Sequence, residues 1–476
     1  MNHGITLVWF RQDLRLWDNP ALFAASERGS VLPLYVLDEG CLLGEASGWW
    51  LHHSLNQLNR DLNDSLRVVK GNPESVILDL LTKYPIDAVY WNRCYDPWRI
   101  AQDGRIKAHL KNLHIDCRSF QASLLWEPWS VLKSDETPYK MYTPFYRKVS
   151  FDMAPPRHPL PLPTHLKIIP ITHSHTMQDI HGLGLHPSIP WYTSMEPLWD
   201  IGERAAQKKL QSFLKHELLG YKEKRNFPGE HQVSHLSPHL HFGEISPYQI
   251  WYEMQLKTYS KKVPLKDIEY FLRELVWREF SYYLLYHFPT LPEENFQKKF
   301  NSFPWKETPS HLKAWQEGKT GYPLVDAGMR ELWKTGYMHN RVRMVVASFL
   351  TKNLFIHWKE GAKWFLDCLL DADLANNSMN WQWVAGSGVD AAPYFRIFNP
   401  IHQGEKFDEM GTYTRQFVPE LSQLPKKWLF KPWKAPEEVL TAAGVILGDT
   451  YPYPIVDLKT SREEALLAYK QILRNS

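Results

Sequence analysis

The apolar residues of this chain change period part-way along, and that change limits the folds open to it. In the first part they come as short β-rich runs separated by helical stretches. "ITLVWF" (5–10) leads into "RQDLRLWDNPAL". Then come "VLPLYVLD", a helical pattern through 51–66, "LRVVKG", a helical pattern through 74–84, and "DAVYWNR". Strand-like runs alternating with helices predict βαβ units around a parallel, Rossmann-like sheet over residues 1–130. From about residue 200 the spacing becomes three-four, as in "IGERAAQKKLQSFLKHELLGY" and "IEYFLRELVWREFSYYLLYHF". An α/β N-terminal domain (1–130), a connector (131–199) and a large all-α domain (200–476) are therefore expected. Within the connector, 153–176, "MAPPRHPLPLPTHLKIIPITHSHT", is rich in Pro and without period, as a surface-draped segment would be.

The 476 residues can build two or three domains with real cores. With 44% hydrophobic and 22% charged residues, the composition is that of ordinary globular proteins. The rings stand out, with 21 Trp, 23 Tyr and 22 Phe, and serve either as core filler or for a planar ligand, bases or electron transfer. A net charge of +3 does not by itself demand nucleic acid. Cys41, Cys94, Cys117 and Cys368 lack metal-ligand or redox-motif spacing, which argues against a disulfide framework or a zinc site. Arg11, Asp13 and Arg15 interrupt the N-terminal apolar run, and no apolar stretch reaches the roughly 18 residues of a membrane span. A reducing compartment, the cytoplasm, is expected. No G-x-G-x-x-G or P-loop pattern follows the first strands, so motif evidence for a nucleotide there is weak.

Candidate chemistry lies further on. In "DIEYFLRELVWREFSYYLL", Phe271, Leu275 and Val276 can face a core, while Glu274 and Trp277, three apart, share a helix face. In "GYMHNRVRMVVASFL", Asn340 and Met344 share a face and Arg341 and Arg343 flank them. In "DADLANNSMNWQWVAGSGVDAAPYFRIFNP" (371–400), Asn377 and Trp381 point the same way, and Trp383 lies about 200° around from Trp381. Asp371 and Asp373 precede that helix, where carboxylates can cap it or meet an arginine. In "VSHLSPHLHFGEISP", Ser234 and Ser237 stand before an apolar run, where hydroxyls and backbone N–H groups can cradle a phosphate. His235, His239 and His241 match no HExxH pattern or ligand cluster, and no metal is expected. Taken singly, each stretch also reads as ordinary capping or an amphipathic helix.

Taken in order, they resemble the photolyase–cryptochrome family over nearly the whole chain. The resemblance begins at "WFRQDLRLWDNPAL" (9–22) and continues through "SHLSPHLHFGEISP" (234–247) and "ELVWREF" (274–280). It is strongest from "WQEGKTGYPLVDAGMRELWKTGYMHNRVRM" (315–344) to "FRIFNPIHQGEKFD" (395–408). Within the family the chain looks like a class I cyclobutane pyrimidine dimer photolyase. The resemblance implies folded-back FAD in the helical domain, with Tyr221, Ser234, Leu236 and Ser237 at its phosphates and adenosine. It places Asp371 and Asp373 at the ribityl–isoalloxazine region, Arg343 as the partner of Asp371, and Asn377 at flavin N5. Phe271 stands where the family often has Trp, and Val233 where it usually has Thr. Trp305, Trp358 and Trp381 match the family's electron-carrying tryptophans, although their spacing alone shows no such chain.

The implied substrate is a pyrimidine dimer turned out of duplex DNA. Trp277 and Trp383 would clamp it, Glu274 would hydrogen-bond it, and Asn340 and Met344 would line the pocket. Arg225, Arg341, Arg396, Gln403 and Lys406 are the expected DNA contacts. The implied activity is a redox-neutral, light-driven lyase step, with a cryptochrome-like photoreceptor as the alternative. The chain ends soon after the helical segments, as expected of the enzyme rather than of a long-tailed receptor. A second, antenna pigment in the N-terminal domain would be methenyltetrahydrofolate or an 8-hydroxydeazaflavin. In "YDPWRIAQD", Trp98 and Arg99 replace the Asn-Glu pair of some folate-binding relatives, which weakens the folate, leaves a deazaflavin open and is also compatible with no second pigment. Damaged DNA is the expected partner, with no membrane and a monomeric chain.

Overall fold

The computed structural model describes residues 4–38, 40, 43–170, 179–260, 262–390 and 396–474. Cys41, residues 171–178 of the expected connector and Phe395 of the last family-like stretch lie outside the described residues. Five strands form a parallel sheet: β1 (Ile5–Phe10), β2 (Ser30–Leu37), β3 (Arg67–Lys70), β4 (Ile86–Asn92) and β5 (Asp116–Phe120). Their order is β3-β2-β1-β4-β5, and a short strand β6 (Lys167–Ile168) pairs with β2.

Successive residues of a strand point to opposite faces, yet Leu7, Val8, Trp9 and Phe10 are all buried. That pattern requires cover on both faces, as parallel sheets have. Val8, Phe10, Val31 and Tyr35 pack with Leu22, Trp49, Trp50 and Leu55 from the helices Pro20–Arg28 and Glu45–Asp61. Leu7, Trp9, Leu32 and Trp91 pack with Ile77, Leu80, Ile106 and Leu110 from the helices Pro73–Lys83 and Pro97–Asn112. Asn19 and Asn72 cap two of these helices through their side chains, each followed by a proline pre-set for the first helical position.

The expected elements are found with one shift, and several are added: the helices Pro20–Arg28 and Pro97–Asn112, β5 and β6. The helix expected over 51–66 runs from Glu45 to Asp61, ended by Asn63 and Asp64, whose φ values are positive. Of the added elements, β6 has two residues, too short to show a period.

Beyond the sheet the chain is helical, including Glu203–Ser212, Leu265–His287, Pro323–Thr335, Asn340–Ser348, Trp358–Cys368, Leu374–Ala385, Pro400–Phe407 and Leu458–Arg474. It forms two compact units. The first comprises Met1–Leu219, Ser234–Pro289 and Leu370–Ala375, and so holds both the sheet and the helix Leu265–His287. The second comprises Gly220–Val233, Thr290–Leu369 and Asn376–Ser476. One core cluster of the second unit joins Phe300, Phe303 and Phe355 to Ala465, Ala468 and Ile472. Among the described residues no helix is long and apolar enough to cross a membrane.

Candidate functional site

Within the first unit, helical pitch sorts the helix Leu265–His287 as its sequence predicts. Phe271, Leu275 and Val276 are buried, while Glu274 and Trp277 are half-buried on a common face. Phe271 packs its ring 4.6 Å from Phe213. Trp277 lies flat on Tyr142, with ring centroids 3.5 Å apart and planes 6° apart. Burial, and then the charge of Glu274, hold the Tyr142 phenol above its ordinary pKa. Glu279, two residues beyond Trp277, accepts from the backbone N–H of Leu125 at 2.7 Å. Burial pushes its carboxyl up to about 7 against the opposing pull of Arg278.

The 234–241 segment of the same unit supplies hydroxyls. Ser234 Oγ accepts from Leu236 N at 3.4 Å, across His235, whose φ is +51°. Ser237 opens a short helix, Ser237–His241, and its Oγ donates to Asp371 Oδ2 at 2.6 Å. Asp371 and Asp373 are buried, and Asp373 N donates to Asp371 O at 2.9 Å. The three histidines have structural surroundings. His239 bonds Glu244, which also accepts from Trp50, and His235 meets Trp199 edge-on. His241 is buried and its pKa falls to about 4 through desolvation, partly opposed by Asp371. Among the described residues no group of three or more His, Cys, Asp or Glu could hold a metal ion. The buried carboxylates are hydrogen-bond acceptors, suited to the sugar alcohols of FAD.

In the second unit the tryptophans are held by rings. Trp381 is buried, 4.9 Å from Phe365 and 6.2 Å from Trp315 by ring centroids. Its Nε1 has no hydrogen-bond partner among the described residues. Trp383 is half-buried, consistent with its different azimuth on the helix Leu374–Ala385. Asn377 Nδ2 donates to Ala362 O at 2.9 Å, which fixes its amide. Trp358 is buried and donates through Nε1 to Asn295 Oδ1 at 2.8 Å. The half-buried Trp305 touches His357 at 4.9 Å, and His357 touches Trp358 at 5.5 Å. The sequence reading missed His357, whose ring links two of the three candidate tryptophans. Burial and the nearby Lys359 hold its pKa down to about 4, so it is neutral near pH 7.

The same unit gathers cations on aromatic faces. Arg225 sits 5.4 Å over Tyr221, Arg341 4.5 Å over Phe407, and Lys406 5.2 Å from the same Phe407 ring. Arg341 Nη2 donates to Asn226 Oδ1 at 2.6 Å, while its Nε is buried with no partner among the described residues. Burial and the neighbouring Arg225 both lower the pKa of Arg341, so an anion at this place would relieve two like charges. Asn226 and Phe407 were not singled out by the sequence, because neither stands at a telling spacing. Asn340 is exposed and Met344 half-buried on the helix Asn340–Ser348, which His339 caps. Arg343 Nε donates to Met338 O at 2.7 Å, and its guanidinium lies 5.2 Å over Tyr337. The exposed Arg396 offers its carbonyl to the buried Lys352 ammonium, whose pKa desolvation lowers to about 7. Gln403 is half-buried, with Oε1 lacking a partner among the described residues.

A cleft also opens at the carboxyl edge of the sheet, in the first unit. Trp9, Arg11, Asp38, Trp98, Arg99 and His241 are among its lining residues. It lies where strand order reverses around β1 and β4, the usual ligand position of such sheets. Arg99 pairs with Asp96 at 3.4 Å and lies 4.9 Å over Trp98. Arg11 Nε and His241 Nδ1 are buried there with no partner among the described residues. Flat indoles beside unsatisfied polar atoms fit a planar pigment with polar edges.

Comparison with known proteins identifies the family. Residues 6–164 match the family model "DNA photolyase", and residues 271–471 match "FAD binding domain of DNA photolyase". The chain is 47% identical to the deoxyribodipyrimidine photo-lyase of Agrobacterium fabrum, over 99% of this chain and 98% of that protein. It is 38% identical to cryptochrome-2 of Arabidopsis thaliana, over 96% of this chain and 77% of that one. A crystal structure described as a bacterial class III photolyase from Agrobacterium tumefaciens superposes with a TM-score of 0.96 at 46% identity. It covers 100% of this chain and 98% of that one. The expected class I assignment finds no specific support in these likenesses. What they establish is membership at full length: the chain belongs to the photolyase–cryptochrome family.

Proposed function

We propose that this chain is a light-driven DNA repair lyase that splits cyclobutane pyrimidine dimers with FAD as its cofactor. One observation carries the reading: a carboxyl and an indole, Glu274 and Trp277, stand half-buried on one helix face in a member of this family. When bound and reduced, FAD would supply light-driven one-electron chemistry for opening the cyclobutane ring, with no net redox change.

The protein's part is to hold, orient and exclude. Tyr221, Ser234, Leu236 and Ser237 hold the phosphate and adenosine end, with Phe271 packed alongside. Asp371 and Asp373 accept hydrogen bonds from the sugar alcohol, and Arg343 supplies positive charge to offset carboxylate burial. Asn377 offers the ring a neutral amide, which bonds without adding negative charge. Trp305, Trp358 and Trp381 relay an electron inward. An extruded dimer stacks on Trp277 and Trp383, an interaction worth roughly 1–3 kcal/mol per base, against a flipping cost of a few kcal/mol. Glu274 hydrogen-bonds the lesion, and Asn340 and Met344 line its sides. Arg225, Arg341, Arg396, Gln403 and Lys406 meet the strand, which positions DNA without reading sequence.

Residues 1–130 form the antenna domain in this reading, 131–199 the connector and 200–476 the catalytic domain. The sheet-edge cleft takes the second pigment, a methenyltetrahydrofolate or an 8-hydroxydeazaflavin. Trp98 and Arg99 stand in its wall, and the choice between the two pigments stays open. The buried cysteines Cys94 and Cys368 are unpaired, which suits a reducing compartment, the cytoplasm, where the chain acts as a monomer on damaged DNA.

The test is repair of a defined thymine dimer by FAD-loaded protein in blue light, with a dark control and a (6-4) lesion alongside. Light-dependent loss of the thymine dimer alone is expected. No repair of either lesion, with the FAD photochemistry intact, would favour a cryptochrome-like photoreceptor.

A further inference from the structure

We propose that Tyr142 is a positioning residue for Trp277, setting the plane on which an extruded pyrimidine stacks. The inference rests on Trp277 being a lesion-facing ring.

The two rings lie face to face at 3.5 Å and 6°. Aromatic pairs left to themselves prefer offset or edge-on arrangements, with centroids about 4.5–7 Å apart. The coplanar geometry is therefore imposed by what grips the pair. Tyr142 is 3% exposed, and its hydroxyl donates to Arg273 O at 2.8 Å. Its ring edge meets Phe280 at 5.9 Å. Phe280 also meets the edge of Trp277, at 6.0 Å and 69°. Arg273, Trp277 and Phe280 recur at four and then three residues, on one face of the helix Leu265–His287. That face thus presents the indole and also anchors the ring behind it.

A half-buried Trp ordinarily keeps freedom about its side-chain torsions. Stacking a base on it then requires that freedom to be lost at the moment of binding. Tyr142 removes it beforehand. Trp277 remains half-buried, so the part that Tyr142 does not cover is available for a base. The helix Tyr142–Arg147 holds Tyr142 from its own side, through Phe145, which packs on Phe280 at 5.0 Å. Tyr142 would touch neither the dimer nor FAD. It acts through the indole, on lesion affinity and not on the chemical step.

Full-length, FAD-loaded Tyr142→Leu, Tyr142→Phe and Trp277→Ala proteins test this. Dissociation constants are measured for a thymine-dimer duplex and its undamaged counterpart, with KM and kcat for repair. Tyr142→Leu is expected to weaken dimer binding roughly tenfold, within the range of one lost base stack, and to leave the undamaged duplex unchanged. KM rises with it while kcat stays within about twofold. Tyr142→Phe, which keeps the ring, restores dimer affinity. Tyr142→Met keeps apolar volume without a ring and carries the same expectation if the leucine variant does not fold. Unchanged dimer affinity in the ringless variants, equal weakening on both duplexes, or tighter dimer binding would overturn the inference. Tighter binding would place Tyr142 where the lesion belongs. Unchanged dimer affinity in Trp277→Ala would instead remove Trp277 from the lesion site, and the inference with it.

Discussion

Trp381 lies so close to Gly361 that a Cβ on the glycine would stand 2.0 Å from Cη2 of the indole. The helix Trp358–Cys368 therefore admits no side chain at this position without moving the ring. Gly361→Ala is expected to destabilise the protein by about 1–3 kcal/mol, the usual result of overpacking. A denaturant midpoint equal to that of the wild type would contradict the packing described.

Trp381→Phe removes an oxidisable indole while keeping a ring in the same packing. Photoreduction of oxidised flavin should slow, while repair by chemically pre-reduced protein should be unchanged. The two rates separate the relay from the repair step. Equal photoreduction in both proteins would count against Trp381 as a relay.

The 2.6 Å bond from Ser237 to Asp371 joins the hydroxyl-bearing segment to the buried carboxylates. Hydrogen bonds to charged groups contribute about 1.5–3 kcal/mol, so Ser237→Ala should weaken FAD binding roughly tenfold. Equilibrium dialysis against FAD reads the change. A shift below about twofold would show that this bond does not serve the cofactor.

Glu331 is a buried carboxyl of the second unit, and desolvation raises its pKa from 4.5 to about 7. One oxygen, Oε2, accepts from Tyr413 OH at 2.6 Å and from His339 N at 3.1 Å. A raised folded-state pKa means that the folded protein holds this proton more tightly than the unfolded chain. The associated stability is present below 4.5 and is lost as pH rises through about 7. Glu331→Gln keeps one acceptor oxygen for both donors and removes the titration. The stability difference, variant minus wild type, should move in favour of the variant between those two values. Denaturant melts across that range check it, and a flat difference would contradict the assignment.

Arg341 and Arg225 are brought together in the second unit, and Arg341 bears an unsatisfied N–H. If Arg341 meets a phosphate, Arg341→Gln should weaken damaged and undamaged duplexes alike. It should also lower the slope of log affinity against log salt by about 1. An unchanged slope would remove Arg341 from the phosphate contacts.

What the sequence revealed followed from local period. The run Ile5–Phe10 reads as a strand because its apolar residues are contiguous and end at Arg11. Glu274 and Trp277 could be put on one face because helical pitch is fixed. Tyr142 under Trp277 could not be read this way, since its contacts close over long separations, 131 residues to Arg273. His357 between Trp305 and Trp358, and Asn226 beside Arg341, were hidden for the same reason. The strand Lys167–Ile168 escaped notice because it is too short to carry a pattern and owes its form to pairing with β2.

The excited-state lifetime of fully reduced, FAD-loaded protein tests the central claim most directly. It is measured with a duplex carrying one thymine dimer and with the same duplex undamaged. A lifetime shortened only by the damaged duplex, with dimers lost in proportion to blue light absorbed, is the expected result. Equal lifetimes on the two duplexes, or dimer loss in darkness, would contradict repair by light-driven electron transfer.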